Sequence, residues 1–290
     1  MPDMGLTDKV YKIPFVLQSK LPFRIFSDRF YLSCTFRGLM KKKLDWNNPK
    51  TFNEKLQILK LKETSDDFTS WADKKTAKEK AEKMIGRQMI IPTLGFFQSL
   101  EEFENRRQEL SEPYILKTTH NSGGVWLIGQ DHPYTSAMKH EIQKNLQENY
   151  YNQWREGPYK NIRPALIAEK YMGSNLNDYK LFCFHGEPKV ILVCSDRETS
   201  LREDFFDISW NHLDLSRAKH PNAQTPPQKP DGLDRMLAAA RTLSSGYDFV
   251  RVDLFEIDGQ IYFGEMTFIP ACGFEGFSPQ IWDDRMGSWI

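Results

Sequence analysis

The amino-acid sequence predicts an α+β fold with mostly antiparallel sheet. Helix-period segments dominate between residues 48 and 110, and strand-like segments dominate from residue 114 onward. Two strand pairs are joined by short turn sequences, His185-Gly186-Glu187-Pro188 and Asp258-Gly259, so both read as hairpins.

The first fifty residues interleave basic and aromatic side chains (Phe23, Arg24, Phe26, Arg29, Phe30, Tyr31) and carry the run Lys41-Lys42-Lys43. Such a segment reads as a solvated helix end or as a patch for anionic lipid or another polyanion. Asn48-Pro49 marks a turn. A helix is expected after it, with Thr51 and Glu54 at capping-box spacing and Phe52, Leu56, Leu59 and Leu61 as its apolar side. A second helix is expected from Trp71 to Met84, stopping at Gly86. An extended segment begins at Ile90, and Glu101 to Leu110 reads as a short helix.

Strands follow at Tyr114–Lys117, Ala165–Tyr171, Tyr179–Phe184 and Lys189–Cys194. The stretch from Asp131 to Trp154 reads as largely helical, and His212 to Pro230 as a loop. Asp231 to Ser244 has helical spacing. Phe249–Glu256 and Gln260–Phe268 form the last hairpin.

Composition excludes several classes. Lys+Arg and Asp+Glu are both 39 of 290 residues, so the net charge is zero. A general nucleic-acid binder would be basic. Aromatics at 13% and zero net charge exclude global disorder. Apolar runs such as Val190–Cys194 are far shorter than a membrane span, and the start of the chain does not read as a secretory leader. Cys34, Cys183, Cys194 and Cys272 form no C-x-x-C pair, so free thiols in a reducing compartment are expected.

Two constellations carry chemistry. The last hairpin, FVRVDLFEIDGQIYFGEMTFIP, gathers Arg251, Asp253, Glu265 and Thr267. A two-residue loop at Asp258-Gly259 would pair Ile257 with Gln260, set Asp253 against Gly264 and turn Glu265 to the other face. The common alternative, a three-residue loop Ile257-Asp258-Gly259, would pair Asp253 with Phe263 and Arg251 with Glu265, placing all four polar residues on one face. That face reads either as a cross-strand salt bridge or as a Mg²⁺ site, since hard carboxylate oxygens suit that ion. The second is Tyr114-Ile-Leu-Lys117-Thr-Thr-His120-Asn121-Ser122-Gly123-Gly124, a strand ending in lysine and running into a small-residue loop. Such a loop reads as an ordinary turn or as a phosphate cradle. Ala168-Glu169-Lys170-Tyr171-Met172 reads as an edge strand or as backbone offered to an adenine edge.

In order, these segments resemble the ATP-grasp fold, and more narrowly the TupA-like ATP-grasp family found among bacterial surface-polysaccharide genes. The resemblance rests on NPKTFNEKLQILKLK, Asp73-Lys74, ILKTTHNSGG, Asp178-Tyr179-Lys180 in DYKLFCFHGEP, and FVRVDLFEIDGQIYFGEMTFIPACG. It implies two α+β subdomains with antiparallel sheets closing on ATP, preceded by a helical region. The corresponding divisions are 1–90, 91–172 and 173–290.

It implies phosphate contacts from Lys74 and Lys117, and a flap at Ser122, Gly123 and Gly124. It implies an adenine hinge at Glu169, Lys170, Tyr171 and Met172, with Glu169 accepting from the adenine amino group. Mg²⁺ would be held by Asp253, Glu265 and Thr267, the last standing where such ligases usually carry Asn. Lys180 and Arg251 would neutralise the transferring phosphate.

The implied reaction is ATP-dependent joining of a carboxylate to an amine. Expected partners are a small-molecule or polysaccharide-linked sugar acceptor and an amino acid or amine, with no nucleic acid. A sugar kinase keeps the same site with a hydroxyl acceptor; a glycosyltransferase or sugar-binding protein is the third reading. A cytoplasmic location is expected, with peripheral contact at the inner face of the membrane through the N-terminal region. Candidate acceptor walls are His120, Asn121, Trp126, the 212–230 loop and the tail with Trp282 and Trp289.

Overall fold

The computed structural model describes residues 10–21, 24–197, 199–217 and 219–290. Phe23 of the basic–aromatic segment lies outside the described residues. Helices α1 (Ile13–Gln18) and α2 (Asp28–Met40) come first. Helix α3 (Phe52–Lys62) starts at the expected capping box: the Thr51 hydroxyl accepts from the Glu54 N–H, and the Glu54 carboxylate accepts from the Thr51 N–H.

The single helix expected from Trp71 to Met84 is instead two, α4 (Asp66–Ala72) and α5 (Lys74–Ile85). Asp73 stands between them in an extended conformation, and its carboxylate accepts from the N–H groups of Lys75 and Thr76. A side chain that satisfies the first free donors of a helix makes a new start there more favourable than continuation. Helix α5 ends at Gly86, as expected.

Residues 93–170 build a four-stranded antiparallel sheet from β1 (Thr93–Phe97), β2 (Tyr114–Thr118), β3 (Val125–Ile128) and β4 (Leu166–Lys170). Its order is β1-β4-β2-β3. Helices α6 (Leu100–Arg106) and α7 (Ser136–Gln147) close its core with Phe103 and Ile142. The short helix α8 (Tyr150–Trp154) follows. Strand β3 was not expected, because four residues after Gly123-Gly124 are too few to show alternation.

The larger sheet has the order β10-β9-β5-β6-β7. It contains β5 (Asp178–Phe184), β6 (Glu187–Ser195) and β7 (Arg202–Phe206). Strands β9 (Phe249–Ile257) and β10 (Gln260–Thr267) complete it. A short pair, β8 (Ser216–Arg217) with β11 (Phe277–Ser278), lies beside it. Helix α9 (Leu233–Ser244) contributes Met236, Ala240 and Leu243 to the core, and α10 (Ile281–Gly287) contributes Trp282 and Met286. The expected 1–90 stretch is not set apart. Phe52, Leu56, Trp71 and Ala77 are part of the larger sheet's core, and Phe52 packs edge-on against Phe249 at 4.9 Å.

Strands β9 and β10 pair in a different register from the expected one. The turn has two residues, Asp258 and Gly259, both at positive φ (51° and 73°), and it pairs Ile257 with Gln260. A bulge at Gly264 then shifts the ladder, so that Asp253 opposes Glu265 and Arg251 opposes Thr267. Glycine makes this possible. A Cβ at Gly264 would lie 3.0 Å from the Asp253 carbonyl oxygen and 2.9 Å from the Phe255 ring. Phe263, expected on the polar face, opposes Leu254 and is buried in the core.

All four cysteines are free. No helix among the described residues is long and apolar enough to cross a membrane.

Candidate active site

A cleft of about 340 Å³ opens between the two sheets. The smaller sheet and its loop supply Lys117, Ser122, Gly123 and Glu169. Helix α5 supplies Lys74 and Lys78, and the larger sheet supplies Asp178, Lys180, Asp253 and Glu265. Trp71, Phe255 and Met266 add apolar wall, and Tyr159 and Arg197 also line it.

Strand geometry explains the smaller sheet's contribution. Lys117 lies opposite Ile167 on β4, and Glu169 lies two residues further along. Side chains two apart share a face, so Lys117 and Glu169 meet. The Glu169 carboxylate takes Lys117 Nζ at 2.6 Å and Lys78 Nζ at 2.7 Å. Burial alone would raise the Glu169 carboxyl, but Lys117 and Lys78 overcome it and hold it at about 2. The resemblance implies that Glu169 accepts from an adenine amino group; here each of its two oxygens faces a lysine.

Lys74 stands apart. Its main-chain N–H donates to Thr119 O at 3.1 Å, and its Nζ donates to the main-chain oxygen of Asn121 at 2.5 Å. Among the described residues this ammonium forms no salt bridge, although it lines the cleft. Burial lowers its pKa, with Glu265 pulling the other way.

The larger sheet builds the opposite wall. Asp253 sits directly between Lys180 on β5 and Glu265 on β10. Its carboxylate is held by Arg251 through Nε at 2.6 Å and Nη2 at 2.7 Å, and by Lys180. Burial would raise the Asp253 carboxyl; Arg251 and Lys180 hold it below its ordinary value. Burial would lower Lys180, but Asp253 raises it. Arg251 Nη2 also donates to Thr267 Oγ1 at 3.0 Å and approaches Glu265 at 3.4 Å. Asp178 pairs with Lys180 at 2.6 Å and Arg197 at 2.7 Å, while its Oδ1 is buried without a partner.

Of the residues singled out in the sequence, Lys74, Lys117, Ser122, Gly123, Glu169, Lys180, Asp253 and Glu265 line the cleft. Arg251 and Thr267 join them through the hydrogen bonds to Asp253 and Glu265. Gly124 does not line the cleft; its carbonyl instead closes the loop by accepting from Thr118 N–H. Lys170, Tyr171 and Met172 do not line it either. Lys170 alternates with Glu169 and is exposed, while Tyr171 lines a separate hollow with Glu112 and His132. His120 is buried, with its ring Nε2 against the main-chain oxygens of Asn145 and Glu148. Trp282 and Trp289 cap the core: Trp282 donates to Asp214 O, and Trp289 packs edge-on against Phe184.

Lys78, Asp178, Arg197 and Tyr159 were missed. Lys78 had a readable signal, since it follows Lys74 by one helical turn. Asp178 alternates with Lys180 on one strand face. Arg197 and Tyr159 come from irregular segments and had none.

The residues fit a nucleotide and a hard cation. An ammonium without a carboxylate partner beside several cations suits phosphate oxygens. The described residues hold no cluster of three or more His, Cys, Asp or Glu placed for a metal. They do offer two facing carboxylates, and Mg²⁺ characteristically takes one or two with phosphate oxygens completing its shell. Glu265 is the more available of the two, with its side chain 48% exposed.

Two mixed α/β lobes with antiparallel sheets, meeting at a cation-lined cleft, define an ATP-grasp protein. The chain belongs to the TupA-like ATPgrasp family, whose sequence profile matches residues 54–290. Among solved structures it is similar to D-alanine–D-alanine ligase from Bacillus anthracis, at 17% identity and TM-score 0.42, over 75% of this chain and 62% of that one. It is similar to phosphoribosylamine–glycine ligase from Thermotoga maritima, at 12% identity and TM-score 0.40, over 70% and 49%. It is also similar to N5-carboxyaminoimidazole ribonucleotide synthetase from Thermus thermophilus, at 17% identity and TM-score 0.37, over 68% and 45%. The chain thus spans less than two thirds of each of these proteins. No curated protein matches the sequence.

Proposed function

We propose that the protein is an ATP- and Mg²⁺-dependent ligase that activates a carboxylate as an acylphosphate and joins it to an amine. The products would be an amide, ADP and phosphate. The observation that carries this reading is Lys74: an ammonium in the cleft with no carboxylate partner, among Lys78, Lys117, Lys180 and Arg251, calls for an anion.

Lys74 and Lys117 bind phosphate oxygens, with Lys78 and Glu169 fixing where Lys117 points. Asp253, Glu265 and the Thr267 hydroxyl hold the metal, which would supply charge neutralisation at the phosphates. Arg251 and Lys180 already lie against Asp253, so they are preorganised to stabilise charge that grows on the transferring group. Ser122 and Gly123 cover the cleft and exclude water. The substrate supplies the nucleophile.

We place the acceptor in a second groove that shares Ser122 with the cleft. It is lined by Asn121, Asn145, Tyr150 and Trp154, and the buried Asn121 Oδ1 has no partner. Amide and aromatic walls suit a sugar, in keeping with decoration of a bacterial capsule, O-antigen or teichuronic-type polymer, such as an amino acid joined to a uronic acid.

Thermal unfolding with nucleotide tests the reading. ATP with Mg²⁺ at a hundred times its dissociation constant should raise the midpoint by about 5 °C. The shift should vanish with chelator and in Glu265→Ala. Stabilisation by a sugar nucleotide alone would sink it. Phosphate accounting then separates ligase from kinase, because a ligase releases phosphate only when carboxylate and amine are both present.

A further inference from the structure

Helix α1 is inside out. Its buried residues are Pro14 and Gln18, and Gln18 accepts from the fully buried Arg155. Its apolar Ile13, Val16 and Leu17 face away from the protein. The same holds along the neighbouring chain: Val10, Tyr11, Ile25 and Phe30 are also exposed, and all seven residues are 42 to 56% accessible. Only four other large apolar side chains among the described residues are exposed, and they are scattered at Met84, Val125, Ile208 and Ile281. Single exposed apolar residues need no explanation; a cluster on one short segment does.

The charges in this stretch of chain are predominantly positive. Lys12, Lys20, Arg24 and Arg29 lie within residues 10–30, and the single acid there is Asp28. Asp28 is already taken by Arg24 at 3.0 Å and Arg155 at 2.8 Å. Lys20, Arg24 and Arg29 are themselves exposed. An apolar face rimmed by cations is the arrangement that lies in the headgroup layer of an anionic bilayer, with the apolar side chains among the acyl chains and the cations at the lipid phosphates. A protein partner matched to this face would need its own apolar patch ringed by acids, whereas an anionic lipid surface meets both requirements at once.

We propose that residues 10–30 dock the protein onto an anionic lipid bilayer. The proposal does not depend on the chemistry in the cleft.

Co-sedimentation of the full chain with vesicles tests it. Vesicles of phosphatidylcholine alone should be compared with vesicles of phosphatidylcholine and phosphatidylglycerol. Pelleting is expected with the anionic vesicles, with binding weaker by about tenfold on phosphatidylcholine alone or in high salt. Val16→Asp and Leu17→Asp should abolish it, and Lys20→Glu should weaken it. Both apolar positions are exposed, so the variants should keep the parent's circular dichroism and its response to ATP with Mg²⁺. Equal pelleting on both vesicle types, no pelleting, or unchanged binding by Leu17→Asp would overturn the proposal. So would a dimer in light scattering that Val16→Asp converts to monomer, since the face would then be a self-association surface.

Discussion

Replacing Glu169 by Gln removes the negative charge from between Lys78 and Lys117 while keeping the side chain's size. A carboxyl moved from 4.5 to about 2 by its surroundings is favoured in its ionised form by about 3 kcal/mol at neutral pH. Glu169 is 5% exposed, so water screens little of this. A midpoint loss of about 6 °C at pH 7 follows for a chain of this length. The sign with pH is fixed by the depressed value. The contribution is complete above pH 4.5 and is lost as pH falls through about 2, so at pH 3 roughly half of it should be gone. Thermal unfolding of parent and variant at pH 7 and pH 3 reads this directly. Adding ATP should narrow the gap at pH 7, because phosphate oxygens can replace the missing carboxylate. If Glu169→Gln unfolds within a degree of the parent at pH 7, or the gap does not shrink on acidification, the ion triad does not support the cleft as described.

Two further outcomes are expected. Gly264→Ala puts a methyl group against the Asp253 carbonyl, so it should cost about 1–3 kcal/mol in urea unfolding and weaken the response to ATP with Mg²⁺. Lys60 is fully buried, its Nζ has no hydrogen-bond partner, and burial pulls its pKa from 10.5 to about 8 against the opposing influence of Glu156. This is a depressed value, so its penalty is fully present below pH 8 and disappears above about 10.5. Lys60→Met should therefore raise the unfolding free energy measured in urea at pH 7, by up to about 3 kcal/mol, and the advantage should fade at pH 10.

Much of the fold was legible because local signals were strong. Thr51 with Glu54 announced α3, Gly86 ended α5, and Asp258-Gly259 marked the last hairpin. The register of that hairpin was not legible. A three-residue loop and a two-residue turn with a bulge both place Arg251, Asp253 and Glu265 on one face, and only packing of Phe263 against Leu254 separates them. The break at Asp73 was missed because the flanking residues are good helix formers and the cap acts through geometry. Lys78 was legible in principle from its spacing to Lys74, whereas the pairing of Glu169 with two lysines was not. It depends on how α5 lies across the smaller sheet.

By itself the sequence determined which chemistry is present: lysines before a small-residue loop, and carboxylates alternating with an arginine on a final hairpin. Periodicity and turn chemistry are local, so they survive without knowledge of the fold. Only the tertiary structure decided which charges are already satisfied. Glu169 is spent on Lys78 and Lys117, Asp253 is held by Arg251 and Lys180, and Lys74 is left with a carbonyl alone. The outward face of α1 is likewise a tertiary result. The sequence shows apolar residues there, but whether they meet a core or solvent depends on what Pro14 and Gln18 pack against. Coulombic pairing and burial fall off over a few ångströms in space, and residues close in space here, such as Gln18 and Arg155 or Phe52 and Phe249, are more than a hundred apart in the chain.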